Sequence, residues 1–131
     1  MKRVIFCLFF AMSFSFAVAQ KSTVTWEYTY LKALPAQKAN LIKFIHQNWF
    51  VMDSLAVSQG LMIEYKLLEN AQNTADWDFI VAVAYPQKDG YLGIKDAFEK
   101  IRSKHKLILV DGKKLNELGN IIKSEKIFEL N

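Results

Sequence analysis

The stretch Trp77-Asp78-Phe79-Ile80-Val81-Ala82-Val83-Ala84-Tyr85 decides the fold. Its two alternating sets, Phe79/Val81/Val83 and Ile80/Ala82/Ala84, are both apolar, so a strand built from it has no face suited to water. Such a strand belongs at the centre of a sheet with cover on both sides. Pro86 ends it, because proline cannot donate to a ladder.

Working outward, Val24 to Lys32 alternates, with Trp26, Tyr28 and Tyr30 on one side and Thr25, Glu27 and Thr29 on the other, which predicts a strand. Leu34-Pro35 breaks it. A helical pattern then runs from about Ala36 to Gln59, with Gly60 as its stop. At 100° per residue its apolar stripe is Leu41, Ile42, Phe44, Ile45, Trp49, Met52, Leu55 and Ala56. Leu61 to Glu69 predicts a strand, and Glu69 to Asp76 a polar loop. On the far side, Gln87 to Gly93 predicts a connection able to shut over a pocket mouth, and Ile94 to Lys104 a second helix with Ile94, Ala97, Phe98 and Ile101 inward. Leu107 to Val110 fits either a short strand or an irregular connection. Asp111-Gly112 marks a turn, Lys113 to Leu118 one or two helical turns stopped by Gly119, and Ile121 to Leu130 a last strand. The order β-α-β-β-α-β gives an α+β, ferredoxin-like βαββαβ arrangement: an antiparallel sheet with both helices on one face.

The N-terminus reads as an export signal. Lys2 and Arg3 precede the apolar run Val4 to Phe16, and Ala17 and Ala19 stand where a signal peptidase reads small residues. Residues 1–19 are therefore expected to be a cleaved signal peptide, with cleavage between Ala19 and Gln20 and residues 20–131 forming one periplasmic or secreted domain. The run is too short to span a bilayer comfortably, so no stable membrane insertion is expected after cleavage. Cleavage removes Cys7, the single cysteine, leaving no disulfide and no thiol nucleophile. It also removes two of 17 basic residues, so 15 face 13 acidic ones. With a net charge of +2 and no basic cluster interleaved with aromatics, nucleic-acid binding is not expected. Export also argues against chemistry that needs cytoplasmic reductant, and no cofactor is expected.

The element order, the strand pair Trp26-Glu27-Tyr28-Thr29-Tyr30 and Trp77-Asp78-Phe79-Ile80-Val81, and the long first helix together resemble the dimeric α/β-barrel superfamily over about Val24 to Leu130. The resemblance implies a homodimer whose helix-free sheet faces pack together, and a superfamily that includes cofactor-free oxygenases, haem enzymes, small-molecule isomerases and members without known activity. Cofactor-free oxygenases of this superfamily use Asn and Trp near their substrate.

Candidate site residues follow from polar groups in apolar settings. Asn48 interrupts the stripe of the first helix, so its amide either satisfies buried backbone or points into a cavity beside Trp49. A carboxylate on a central strand has its pKa raised, which makes Glu27 a candidate acid or base, unless a neighbouring strand's lysine pairs with it. His46 sits at the stripe's edge, on the side of Phe50 and Asp53, and is the other catalytic candidate. Tyr30, Tyr65 and Tyr85 are aromatic candidates for the same space, or core residues with the hydroxyl at the rim. His105 reads as a helix C-terminal cap. The histidines have no metal-ligand spacing. The expected function is a small, largely apolar molecule bound between sheet and helices by Asn48, Trp49, Tyr30 and Tyr65. A cofactor-free oxygenase or isomerase using Glu27 or His46 is the alternative, and a purely structural or interaction module is the third reading.

Overall fold

The structure, a computed structural model, describes residues 23–73 and 76–130. The expected signal segment lies outside these. Four strands form one antiparallel sheet, β1 (Thr25–Ala33), β2 (Glu64–Glu69), β3 (Phe79–Tyr85) and β4 (Gly119–Phe128), in the order β2-β3-β1-β4. Between β1 and β2 runs a helix in two parts, α1 (Lys38–Phe44) and α2 (Phe50–Ser58), joined by a π-helical turn at Ile45–Trp49. The helix α3 (Tyr91–Lys104) joins β3 to β4. This is the ferredoxin-like order, with the doubly apolar strand at the centre as its sequence requires; all seven residues of β3 are buried.

Register sorts the side chains into two faces. On the helix side Tyr65, Val83, Glu27 and Lys126 stand in one row, and Leu67, Val81, Thr29 and Ser124 in the next. On the other side β1 rings stand beside β3 side chains: Trp26 beside Ala84, Tyr28 beside Ala82, and Tyr30 beside Ile80. The aromatic rings and Trp77, which meets Tyr30 edge-on at 5.3 Å, shelter that half of β3 within a single chain.

Local chemistry sets the ends. Leu34 to Gln37 is a type II turn: Pro35 fits its second position, Ala36 takes a φ of 62°, and the Gln37 N–H donates to the Leu34 carbonyl at 3.0 Å. Asp111 and Gly112 both have positive φ, as a two-residue type I′ hairpin needs, and Val110 and Lys113 exchange two backbone bonds across it. Leu107 to Leu109 is irregular, which settles the open choice there, and the expected helical turns reduce to a 3-10 turn at Leu115–Glu117. Helix α3 begins at Tyr91, so Tyr91 to Gly93, expected in a loop, is its first turn. The remaining loop is pinned, with the Gln87 amide donating to the Gly90 carbonyl and accepting from the Asp89 N–H.

One departure matters for the site. A straight helix puts Leu55 inward and Asp53 at the edge, yet Leu55 is 48% exposed and Asp53 only 6%. A π turn holds one residue more than an α turn. Each later residue therefore takes the direction its predecessor would have had, a shift of about 100°. Asp53 and Ala56 turn inward where Met52 and Leu55 were expected, and Leu55 turns out.

Candidate functional site

A cavity of about 550 Å³ lies between the helix face of the sheet and the helices. Its floor is Glu27 and Thr29 of β1, Val81, Val83 and Tyr85 of β3, and Ile121 and Ser124 of β4. Its roof is Trp49, Met52 and Asp53 from the π turn and α2, Met62, and Tyr91, Phe98 and Arg102 from α3. Half of these side chains are apolar, and the polar ones differ sharply in how they are occupied.

Glu27 is committed to the fold. Its Oε1 accepts the Tyr91 N–H at 3.2 Å, at the start of α3 where a carboxylate suits the helix dipole, and lies 3.7 Å from Lys126 Nζ in the opposite register position. Gly90, at a φ of 61°, is required there, because a Cβ would overlap that carboxylate. At the cavity mouth Arg102 pairs with Glu99 at 3.0 Å, and the Tyr91 hydroxyl donates to the same Glu99 oxygen at 3.1 Å.

Asp53 and Tyr85 are not so occupied. Neither side chain has a hydrogen-bond or ion-pair partner among the described residues, yet no fully enclosed polar atom is left unpaired, so both keep access to the cavity. Burial alone pushes the Asp53 carboxyl from 3.8 to about 7. The Tyr85 hydroxyl is held well above its ordinary value, chiefly by burial and further by the nearby carboxylates Glu27 and Asp53. Tyr85 therefore stays a neutral donor, while Asp53 exchanges its proton near neutrality.

The other expected site residues lie elsewhere. Asn48 is 1% exposed and does not line the cavity. Its Nδ2 donates to the carbonyls of Phe44 (3.1 Å) and Ile108 (2.9 Å), and its Oδ1 accepts the Ile108 N–H (2.8 Å). Those contacts fix the amide's orientation, so His105 Nε2, 2.9 Å from Oδ1, must be the protonated nitrogen that donates to it. Asn48 thus ties the 105–110 segment to the helix, the backbone-satisfying alternative of the sequence reading. Of the four expected ligand-binding residues only Trp49 is in the wall. Tyr30 lies on the helix-free face, donating to Glu125 at 2.9 Å beneath the Lys123 ammonium. Tyr65 packs on Phe50, and His46 meets Phe50 edge-on; both line a separate groove of about 720 Å³ between the helix and the β2 edge of the sheet. That groove has only the exposed His46 and surface groups such as Lys66 and Glu69 for chemistry. Among the described residues no cluster of His, Cys, Asp and Glu is arranged to hold a metal ion.

No protein-family model matches the chain, and no curated protein matches it. Solved structures do. The chain is similar to a conserved protein of unknown function, described as a possible oxidoreductase, from Bacteroides thetaiotaomicron, with a TM-score of 0.52 at 11% identity over 82% of this chain and 99% of that one. A dimeric protein of unknown function with a ferredoxin-like fold, from Bacteroides fragilis, superposes at a TM-score of 0.47 and 10% identity, over 83% and 96% of the two chains. SnoaB, a cofactor-independent oxygenase from Streptomyces nogalater, superposes at 0.45 and 12% identity, over 84% and 93%. The likeness is one of fold.

Proposed function

We propose that this chain is an exported homodimer that binds a small, largely apolar molecule in the cavity between sheet and helices. The observation that carries the reading is the cavity: its volume of about 550 Å³ falls in the range of ligand sites, and its wall combines apolar and aromatic side chains with convergent polar groups. Asp53 and Tyr85, buried without protein partners, supply those groups, where a cavity left by loose packing would have none. One observation supports an enzymatic role on top of binding: a wall of amides and aromatics would only hold a ligand, whereas this one includes the carboxyl of Asp53, which burial raises to about 7.

Dimerisation is supported by the helix-free face. Trp26, Tyr28 and Tyr30 form a half-buried aromatic row there, bordered by Lys66, Lys123 and Glu125. A second copy related by a two-fold axis would bury that row. Export is supported by the N-terminal pattern, and no helix among the described residues is long and apolar enough to cross a membrane.

Mass spectrometry of solvent extracts tests the reading. The purified protein should carry an apolar small molecule that the cavity-filling Met52→Trp variant lacks, and identical extracts would contradict it. Light scattering should give twice the mass of a 112-residue chain beginning at Gln20, and a monomer at micromolar concentration would remove the dimer.

A further inference from the structure

A buried carboxyl in an apolar wall is costly when charged, and folded proteins almost always give such a group a partner. This chain leaves one such carboxyl, Asp53 on α2, and one buried phenol, Tyr85 on β3, open on opposite walls of one cavity. The charged groups of the wall and Tyr91 are engaged: Glu27 with Tyr91 and Lys126, Arg102 and Tyr91 with Glu99. Asp53 also reaches the cavity only because the π turn sets the helix back by a residue, and such turns are frequent at functional sites.

We propose that Asp53 is a general base acting on a carbon acid in this cavity, a small apolar ketone or enone, with Tyr85 donating a hydrogen bond to the carbonyl oxygen. The proposal rests on the ligand-binding reading above. The Asp53 carboxylate takes a proton from the carbon next to the carbonyl: the C–H bond breaks and a carboxyl O–H forms. The freed electron pair becomes a C=C bond as the carbonyl becomes an enolate, whose oxygen the Tyr85 hydroxyl stabilises. Once the Asp53 carboxyl has swapped that proton for one from solvent, delivery to the same carbon gives exchange, and delivery to the far carbon of a conjugated system gives isomerisation. No electrons are gained or lost, so no oxidant, metal or cofactor enters the balance.

The pH dependence follows from the groups around Asp53. Glu27 of β1 and Tyr85 of β3 face the cavity from the sheet, and Tyr91 and Arg102 from α3. None pairs with Asp53, so the base is set by its own ionisation. Activity should rise with pH to about 7, where burial places that carboxyl, and then level off.

The test uses 2-tetralone as probe in D₂O, with loss of its α-proton signals followed by NMR and binding read in the same samples by saturation transfer. The mature protein should bind the ketone and speed α-exchange above buffer. Asp53→Asn, similar in shape, should keep binding and lose about 100-fold or more of the exchange. Tyr85→Phe should lose about 100-fold, and His46→Gln, outside the cavity, should stay within about twofold. Circular dichroism of each variant confirms its fold. Binding without protein-dependent exchange, or exchange unchanged in Asp53→Asn, overturns the base and leaves the ligand reading intact. A probe that does not bind at millimolar concentration overturns both.

Discussion

Replacing Asp53 by Asn should stabilise the protein, and only above acidic pH. In the folded chain the carboxyl titrates near 7, against 3.8 when solvated. Below about pH 4 both states hold the proton and the group adds no penalty. Between pH 4 and 7 the unfolded chain releases the proton while the folded one retains it, so stability falls as pH rises, by about 1.4 kcal/mol per unit at most. Above 7 both states are ionised and the penalty is constant. A shift of about three units makes it roughly 4 kcal/mol at pH 8, a large part of a small domain's stability. Asparagine has no such penalty. Urea unfolding of both proteins from pH 4 to 8.5 should therefore show midpoints that nearly coincide at pH 4, separate through pH 7 and stay apart by about 1 M or more above it. A gap independent of pH, or a variant less stable than wild type at pH 8, would refute the burial of an unpartnered carboxyl.

Other sites give sharper local outcomes. Asn48→Leu should lower stability by roughly 1–3 kcal/mol, since it strands the Ile108 carbonyl and N–H, and amide exchange should quicken selectively over residues 105–110. Ala36→Gly should raise stability by up to about 1 kcal/mol, because a positive φ is strained for alanine and free for glycine; a thermal melt reads it. Gly90→Ala should cost roughly 1–3 kcal/mol through the same strain plus displacement of Glu27 from the start of α3, and denaturant midpoints should fall accordingly.

The sheet was legible because its centre is written twice. A strand apolar on both alternating sets has one sensible place, and once β3 is central the remaining elements have few arrangements. The site was less legible. Alternation along β1 already separates Tyr30 from Glu27, so no single cavity between sheet and helices can use both; Tyr30 belongs with Trp26 and Tyr28 on the opposite face. Asn48 stood out as a polar residue in an apolar stripe, and the signal was real, but the need it met was backbone satisfaction, which depends on where residues 105–110 lie. Asp53 was missed for a geometric reason. Periodicity assumes 3.6 residues per turn, and nothing in Ile45-His46-Gln47-Asn48-Trp49 announces an extra residue. On a straight helix the large apolar Leu55 would be buried and the acid would sit at the edge, an ordinary pattern that the π turn reverses.

The central claim is that the cavity under the helices is a ligand site, and methionine methyl groups test it most directly. Of the four methionines in the sequence, Met1 and Met12 lie in the expected signal segment, which leaves Met52 and Met62, and both line the cavity. With ¹³C-methyl methionine in the mature protein, two methyl signals are expected, and titration with 2-tetralone should shift both saturably while the His46 ring signals, in the separate groove, stay still. Methyl signals that do not move while His46 does, or no saturable shift anywhere, would contradict the account.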